Sequence, residues 1–410
     1  MKALFVVLDG MADRPVAELG RKTPLQAART PNMDRLARSG ACGIVDPVAP
    51  GIPPGSDVAN MALLGYDPHE HYTGRGALEA LGAGLDLGPG DVAFRCNFAT
   101  VNENGVVLDR RAGRISTENA SVLAEAIREA LEEADFGVEV KFVNTVQHRA
   151  VLVLKGEALS RAISDTDPKE NGKPLKKCVP LDSSPEAKKT ADIVNNLSEF
   201  LMKVLREHPL NKELERPANA ILFRGAGTLP DLRPLSELYS IRGACISAVA
   251  LVKGVCKAAG LDILDVPGAT GSYDTNLDAK FSRALEALNE GYDLMFVHIK
   301  ATDVASHDHD AAKKVWFLER VDEALGKALD ALSTEDTYVL ITSDHTTSVR
   351  TGKHEGDPVP AALAGPEVRV DAVERFDEIN CSRGSLCRLR GIDLMPILMN
   401  LLGKVERFGF

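Results

Sequence analysis

The stretch DLMFVHIKATDVASHDHD, residues 293–310, opens on a continuous apolar run and then breaks into a polar cluster. A run without polar alternation reads as a strand covered on both faces of its sheet. Next comes AAKKVWFLERVDEALGKALDAL, residues 311–332, in which Leu318, Val321, Leu325, Leu329 and Leu332 recur at three- and four-residue steps. That spacing predicts an amphipathic helix. TYVLITSD, residues 337–344, is a second continuous apolar run. Strand, helix, strand in this order is a βαβ unit with a right-handed crossover. The beginning of the chain, MKALFVVLDG, supplies a similar strand that runs into Asp9, and its apolar stretch is too short for a signal peptide.

Further out, TPNMDRLARSG, residues 30–40, predicts a helix with Thr30 as cap and Pro31 in its first position. ACISAVALVKGVCKAAGLDILDV, residues 244–266, reads as a helix followed by a strand. Between these α/β segments the pattern changes, with basic turns (DRRAGRI, 109–115), a charged helix (119–135) and a long polar segment (164–189). The division expected is a core domain from residues 1–94 and 241–410, with an inserted smaller α+β domain at 95–240. A chain of 410 residues is long enough for two such cores.

Hydrophobic residues make up 44% of the chain and charged residues 26%, the profile of a globular protein. The net charge of -11 argues against a general nucleic-acid or anionic-membrane binder, but leaves room for a small basic pocket. No apolar run reaches the length of a bilayer span. Seven cysteines without paired spacing suggest reduced thiols and a cytoplasmic protein.

The polar residues gather at strand ends. Asp9 closes the first run, Asp303 and His307 follow the second, Asp344 and His345 follow the third, and His354 lies shortly beyond in GKHEGDPVP. In open α/β sheets ligands bind beyond the carboxyl ends of strands. Each of these residues alone has an ordinary structural reading as a cap or turn; their joint occurrence after successive strands points to a site. Mixed carboxylates and imidazoles suit manganese, zinc or a similar divalent ion. The full set suits two ions placed to clamp an in-line phosphoryl displacement. Ser56, in GIPPGSDVAN (51–60), has two readings: the cap of the helix that follows, or a reacting hydroxyl beside a helix N-terminus that favours a phosphate.

Taken together, VVLDG, GIPPGSDVANMALLGYDP, ATDVASHDHD, TSDHTT and GKHEGDPVP, with ILFRGAG and ACISAVALVKGVC, resemble the archaeal type of cofactor-independent (2,3-bisphosphoglycerate-independent) phosphoglycerate mutase, in the alkaline phosphatase superfamily. The resemblance covers nearly the whole chain. It implies an α/β fold: an alkaline-phosphatase-like sheet flanked by helices, with an inserted α+β domain. It also implies interconversion of 3-phosphoglycerate and 2-phosphoglycerate, in glycolysis and gluconeogenesis, without 2,3-bisphosphoglycerate. Two divalent metal ions (manganese, zinc, cobalt or magnesium) are implied, one held by Asp9, Ser56, Asp344 and His345, the other by Asp303, His307 and His354. Ser56 is then the phosphorylated nucleophile. Asp165, in ISDTDPK, is the candidate base and Asp167 its competitor. Arg224 is the favoured glycerate contact, with Arg111, Arg114, His148, Arg149 and Arg242 as further substrate residues. The inserted domain is expected to act as a lid that keeps water from the phosphoserine. A homo-oligomer is expected, with no nucleic-acid or membrane partner. The runner-up is another phosphoryl-transfer enzyme on the same core, a phosphatase or a kinase-like relative. One departure from the family pattern is His309, which stands where glycine is expected and is read as facing solvent.

Overall fold

Lys2–Leu8 lies inside an eight-stranded sheet, with Leu294–Ile299 on one side and Thr337–Thr342 on the other, both parallel to it. All three strands are buried almost throughout, which is why their sequences are continuously apolar. Beyond Leu294–Ile299 the sheet continues, still parallel, through Gly243–Ile246 and Asp262–Ile263. On the other side Val359–Ala364 pairs antiparallel with both Thr337–Thr342 and Gly40–Asp46, and Cys387–Arg390 ends the sheet parallel to Gly40–Asp46. Leu8 pairs with Ile299 and Val7 with Thr342, so the three central strands end nearly level. The polar segments that follow them therefore begin at one edge of the sheet.

This computed structural model describes every residue except Thr334 and Phe410. The chain divides into two units, Met1–Tyr72 with Leu232–Phe410, and Thr73–Asp231. In the first unit the helix Ala311–Ala331 buries Phe317, Leu318, Val321 and Leu325 in the core beneath the sheet, together with Phe281. It connects Leu294–Ile299 to Thr337–Thr342, which are not neighbours: the first strand sits between them. The helix Pro31–Arg38 starts as expected at Pro31, but the Thr30 side chain makes no capping bond. The segment 244–266 differs from its expected helix-then-strand order. Gly243–Ile246 is itself a buried strand, followed by the helix Ala250–Ala258 and the short strand Asp262–Ile263. Four residues give too short a run to separate a strand from the helical pattern that follows.

The second unit is built on an antiparallel sheet in the order Glu139–Asn144, Arg149–Lys155, Val92–Val101, Val106–Asp109, Lys173–Pro174, and Ala220–Gly227 also pairs with Val92–Val101. The helices Thr117–Glu132 and Pro185–Glu207 bury Leu123, Ile127, Leu197 and Leu201 with Phe94, Phe98 and Phe142. The unit boundaries fall at 72/73 and 231/232 and not at the expected 94/95 and 240/241. The reason is local. A cut at residue 95 would sever the strand Val92–Val101, and the preceding helix Arg75–Gly82 packs on that strand so closely that a Cβ on Gly76 would lie 2.3 Å from the Ala93 carbonyl oxygen. At the other end, Leu235 donates its N–H to the Ala259 carbonyl and Tyr66 donates its hydroxyl to that of Arg233, which ties 232–240 to the first unit. Among the described residues no helix is long and apolar enough to cross a membrane.

Candidate active site

The level strand ends bring the polar residues of the first unit together. Asp9 follows the first strand, Asp303 and His307 lie in the helix Ala301–His307, Asp344 and His345 follow Thr337–Thr342, and His354 sits in a hairpin strand, Lys353–Glu355, paired with Thr346–Ser348. His345 Nε2 is 3.3 Å from Asp9 Oδ1 and 3.5 Å from Asp344 Oδ2. Asp303 Oδ2 is 3.3 Å from His307 Nε2, and its Oδ1 is 3.5 Å from His354 Nε2. The His345 and His354 rings stack with centroids 3.7 Å apart. Asp9, Asp344 and His345 are fully buried and Asp303 nearly so.

The imidazoles are oriented by their second nitrogens. His354 Nδ1 meets the Pro54 carbonyl at 2.8 Å, His307 Nδ1 the Gly352 carbonyl at 2.8 Å, and His345 Nδ1 the Thr347 hydroxyl at 2.9 Å. Thr347 Oγ1 in turn donates to Asp303 Oδ1 at 2.7 Å. Fixing one ring nitrogen in this way leaves the other free to face a ligand.

Ser56 joins this group. Its Oγ lies 3.2 Å from His345 Nε2. It is not the helix cap: Gly55 holds that position and Ser56 is the first residue of the helix Ser56–Leu63. A Cβ on Gly55 would fall 2.4 Å from Asp57 Oδ1, so a side chain there would require the Asp57 carboxylate to move. One turn on, Asn60 Nδ2 donates to the Ser56 carbonyl at 2.8 Å and to Asp344 Oδ2 at 3.0 Å, which ties the Ser56 backbone to the carboxylate.

The charges are poorly balanced. Three buried carboxylates face one lysine, Lys300, whose Nζ is 3.0 Å from Asp9 Oδ2 and 2.5 Å from Asp303 Oδ2. Burial raises the Asp9 carboxyl, but Lys300 and the neighbouring imidazoles outweigh it and hold the group well below the usual carboxylate range. For Asp344, burial and the nearby Asp9 charge push the carboxyl up. Burial lowers and Asp344 and Asp9 raise the His345 imidazole, and the carboxylates win. Both oxygens of Asp9 are buried without a hydrogen-bond partner. Buried polar atoms of this kind are rare without an ion or water. Asp9, His298 and Asp344 form one group able to hold a cation, and Asp303, His345 and His354 another. Ligands on one ion at about 2.1 Å sit roughly 3 to 4 Å from each other, the spacing found among these donors.

His298 and Lys300 are missing from the sequence-derived set, as is Lys280, a buried lysine lowered to about 8 by burial, with Nζ 3.0 Å from the His298 carbonyl. His309 is exposed, as expected, and is also held in place. Its backbone is left-handed, with φ of 58°, which explains a preference for glycine there. Its Nδ1 bonds the Val349 carbonyl at 2.8 Å and its ring lies against Gly352.

In the second unit a cavity of about 320 Å³ is lined by Arg95, Asn97, Arg110, Arg111, Arg114, Gln147, His148, Arg149 and Arg224. It gathers the expected Arg111, Arg114, His148, Arg149 and Arg224, and adds Arg110, from the same basic turn as Arg111, and Arg95, from inside the strand Val92–Val101. Burial, with Arg149, Arg111 and Arg95 beside it, lowers His148 to about 4. Asp167 is buried and occupied: both its oxygens accept from Arg110 at 2.7 Å, and Arg224 Nη1 is 3.3 Å away. Asp165 is less committed, accepting from the Gly225 N–H at 2.9 Å with its other oxygen 4.0 Å from Lys169 Nζ. Arg242 belongs to neither group. It precedes the amino end of Gly243–Ile246 and stacks on Tyr292 at 3.9 Å.

The chain matches the family model of 2,3-bisphosphoglycerate-independent phosphoglycerate mutase over residues 37–211, and that of type I phosphodiesterase / nucleotide pyrophosphatase over 247–356. It is 48% identical over 413 residues to 2,3-bisphosphoglycerate-independent phosphoglycerate mutase 1 of Methanothermobacter thermautotrophicus, covering 100% of both chains. It is 50% identical over 417 residues to the corresponding mutase of Methanopyrus kandleri, covering 100% of this chain and 98% of that one. The solved structure of the cofactor-independent phosphoglycerate mutase of Thermoplasma acidophilum superposes with a TM-score of 0.74 at 37% identity, over 98% of this chain and 100% of that one. A Pyrococcus horikoshii protein structure superposes with a TM-score of 0.87 at 38% identity, over 100% and 99%. Full-length identity at this level, on a fold whose sheet edge gathers a serine, carboxylates and imidazoles, means that the chain belongs to the 2,3-bisphosphoglycerate-independent phosphoglycerate mutases.

Proposed function

We propose that this chain interconverts 3-phosphoglycerate and 2-phosphoglycerate through a phosphoserine on Ser56, with two divalent ions and without 2,3-bisphosphoglycerate. The observation that carries the reading is Ser56 Oγ at the start of a helix, 3.2 Å from His345 Nε2, which itself lies 3.3 Å from the buried Asp9 carboxylate. Asp9, Ser56, Asp344 and His345 would hold one ion, and Asp303, His307 and His354 the other. Bound there, divalent ions would neutralise the carboxylates and stabilise the charge on the transferring phosphoryl oxygens.

The chain's own residues do the rest. The helix N-terminus at Ser56 presents free N–H groups toward a phosphate. Ser56 Oγ attacks phosphorus, its O–P bond forms as the ester bond to glycerate breaks, and the proton it loses ends on the glycerate oxygen. The other glycerate hydroxyl then attacks the phosphoserine and returns a proton to Ser56. Asp165 is the base that handles these hydroxyl protons, because Asp167 is already committed to Arg110 and Arg224. The arginine cavity of the second unit, Arg224 included, binds the carboxylate and phosphate groups. Holding the glycerate there while excluding water is what makes the enzyme a mutase and not a phosphatase.

The test is direct. Purified protein with 3-phosphoglycerate and Mn²⁺, without bisphosphoglycerate, is coupled to enolase. 2-Phosphoglycerate should form, with little free phosphate. Release of phosphate with no 2-phosphoglycerate would overturn the proposal.

A further inference from the structure

His298 is a fully buried histidine in the strand Leu294–Ile299, and the proposed ion sites do not use it. The ladder pairs His298 with Val7, two residues before Asp9. Strand alternation therefore aims His298 and Asp9 to the same face of the sheet. Its Nε2 lies 3.2 Å from Asp9 Oδ2 and 4.0 Å from Asp344 Oδ2. At 3.2 Å a hydrogen bond is within reach, yet His298 Nε2 and both Asp9 oxygens are buried without a hydrogen-bond partner. The opposite nitrogen, Nδ1, is 3.4 Å from Ser247 Oγ, which itself accepts the Val249 N–H at 3.1 Å. Ser247 can accept from Nδ1–H or donate to Nδ1; in the first tautomer, the one an imidazole bound to a metal through Nε2 requires, the Nε2 lone pair faces two carboxylates. A lone pair against carboxylates in a buried cluster is unfavourable unless a cation lies between them. Lys300 does not fill that place: it bridges Asp9 to Asp303, whereas His298 bridges Asp9 to Asp344.

We infer that His298 Nε2 is a direct ligand of the divalent cation held by Asp9 and Asp344, with Ser247 fixing its tautomer. The inference rests on the proposed metal-dependent reading and adds an imidazole to that ion's ligands. Separations of 3.2 and 4.0 Å are those of neighbouring ligands on one ion with bonds of about 2.1 Å.

Two measurements test it, and neither reads activity. Crystals of the unaltered protein are soaked in Zn²⁺ and the ion is located by anomalous scattering. An ion within about 2.2 Å of His298 Nε2 supports the inference. An ion on Asp9 and Asp344 with His298 Nε2 beyond about 3 Å overturns it while leaving the metal reading intact. In parallel, metal-stripped protein is titrated with Co²⁺ by calorimetry, with His298→Ala and His298→Gln compared and Asp303→Asn as the control for the other ion. The expected result is that one binding event weakens by about a hundredfold in both His298 variants while the other is kept. Unchanged binding in folded His298 variants overturns the inference alone. No Co²⁺ binding by the unaltered protein overturns it together with the metal reading.

Discussion

Asp167 and Arg110 meet as two parallel prongs, with Nε and Nη2 of the guanidinium each 2.7 Å from one carboxylate oxygen, and Asp167 completely buried. Burial raises the Asp167 carboxyl, but the Arg110 bonds and charge reverse this and hold it below the usual range. The Asp165 carboxylate, two residues earlier, has no such partner. The two aspartates should therefore separate in mutagenesis. Asp167→Asn leaves Arg110 and Arg224 without their counter-charge and should cost about 3 kcal/mol of stability, read by urea unfolding. Asp165→Asn should leave the unfolding midpoint nearly unchanged and lower kcat. The reverse pattern would exchange their roles.

Ser56 lies at the first helical position and Gly55 is the cap, so the serine hydroxyl does nothing for the helix end. Ser56→Ala should fold with a Tm close to that of the parent. Its mutase activity should fall by at least about a thousandfold, as for loss of a covalent nucleophile. Intact mass after addition of substrate should show phosphate on the parent and none on the variant. A phosphorylated Ser56→Ala protein would place the nucleophile elsewhere.

His148 gives a pH signature. Its folded pKa of about 4 is below the ordinary histidine value near 6.5, because burial and the surrounding arginines disfavour a further cation. The unfolded chain therefore binds the proton more readily. The stabilisation is complete above the ordinary value and is lost as pH falls through 4, a change of at most roughly 3 kcal/mol. Unfolding measured from pH 7 to 4 should lose this slope in His148→Gln. An anion bound among the arginines should raise the His148 pKa, which histidine-selective NMR would follow during addition of 3-phosphoglycerate.

His309 combines a left-handed backbone with a hydrogen bond to Val349. Replacing it by alanine keeps the unfavourable backbone and loses the bond, a loss of about 1 kcal/mol. Glycine loses the bond but relieves roughly 1 kcal/mol of backbone strain. Urea unfolding should thus rank alanine least stable, with glycine near the parent. Equal destabilisation by both would show that the ring's packing on Gly352, not the backbone, sets the balance.

The strands Lys2–Leu8, Leu294–Ile299 and Thr337–Thr342 were legible because burial on both faces leaves continuous apolar runs, and the carboxylates and imidazoles at their ends were legible as interruptions of those runs. Gly243–Ile246 was not, since its four residues merge into the helical pattern after it. His298 was hidden for a related reason: inside MFVHI it reads as one polar position in a core strand, and only the register beside Val7 shows what it faces. Arg95 is brought to the cavity by antiparallel pairing, which leaves no local spacing to read, whereas Arg110 lies within the legible basic turn and was passed over for its neighbour Arg111. Arg242 failed in the opposite sense, as a conspicuous cation at the amino end of its strand. The domain boundary was misplaced because the helix Arg75–Gly82 marks no change of composition, only a close approach to the sheet beyond it.

The place of the first strand has a consequence for biosynthesis. Lys2–Leu8 is translated long before either of its partners, Leu294–Ile299 and Thr337–Thr342. Such distant pairing is slow to form, and an apolar strand left waiting is open to aggregation. The inserted Thr73–Asp231 unit, contiguous in sequence, has all its strands available long before then. A nascent chain should therefore hold a finished insert while the first strand is still orphaned, and the cluster around Asp9 cannot assemble until Thr337–Thr342 and the residues after it have been made.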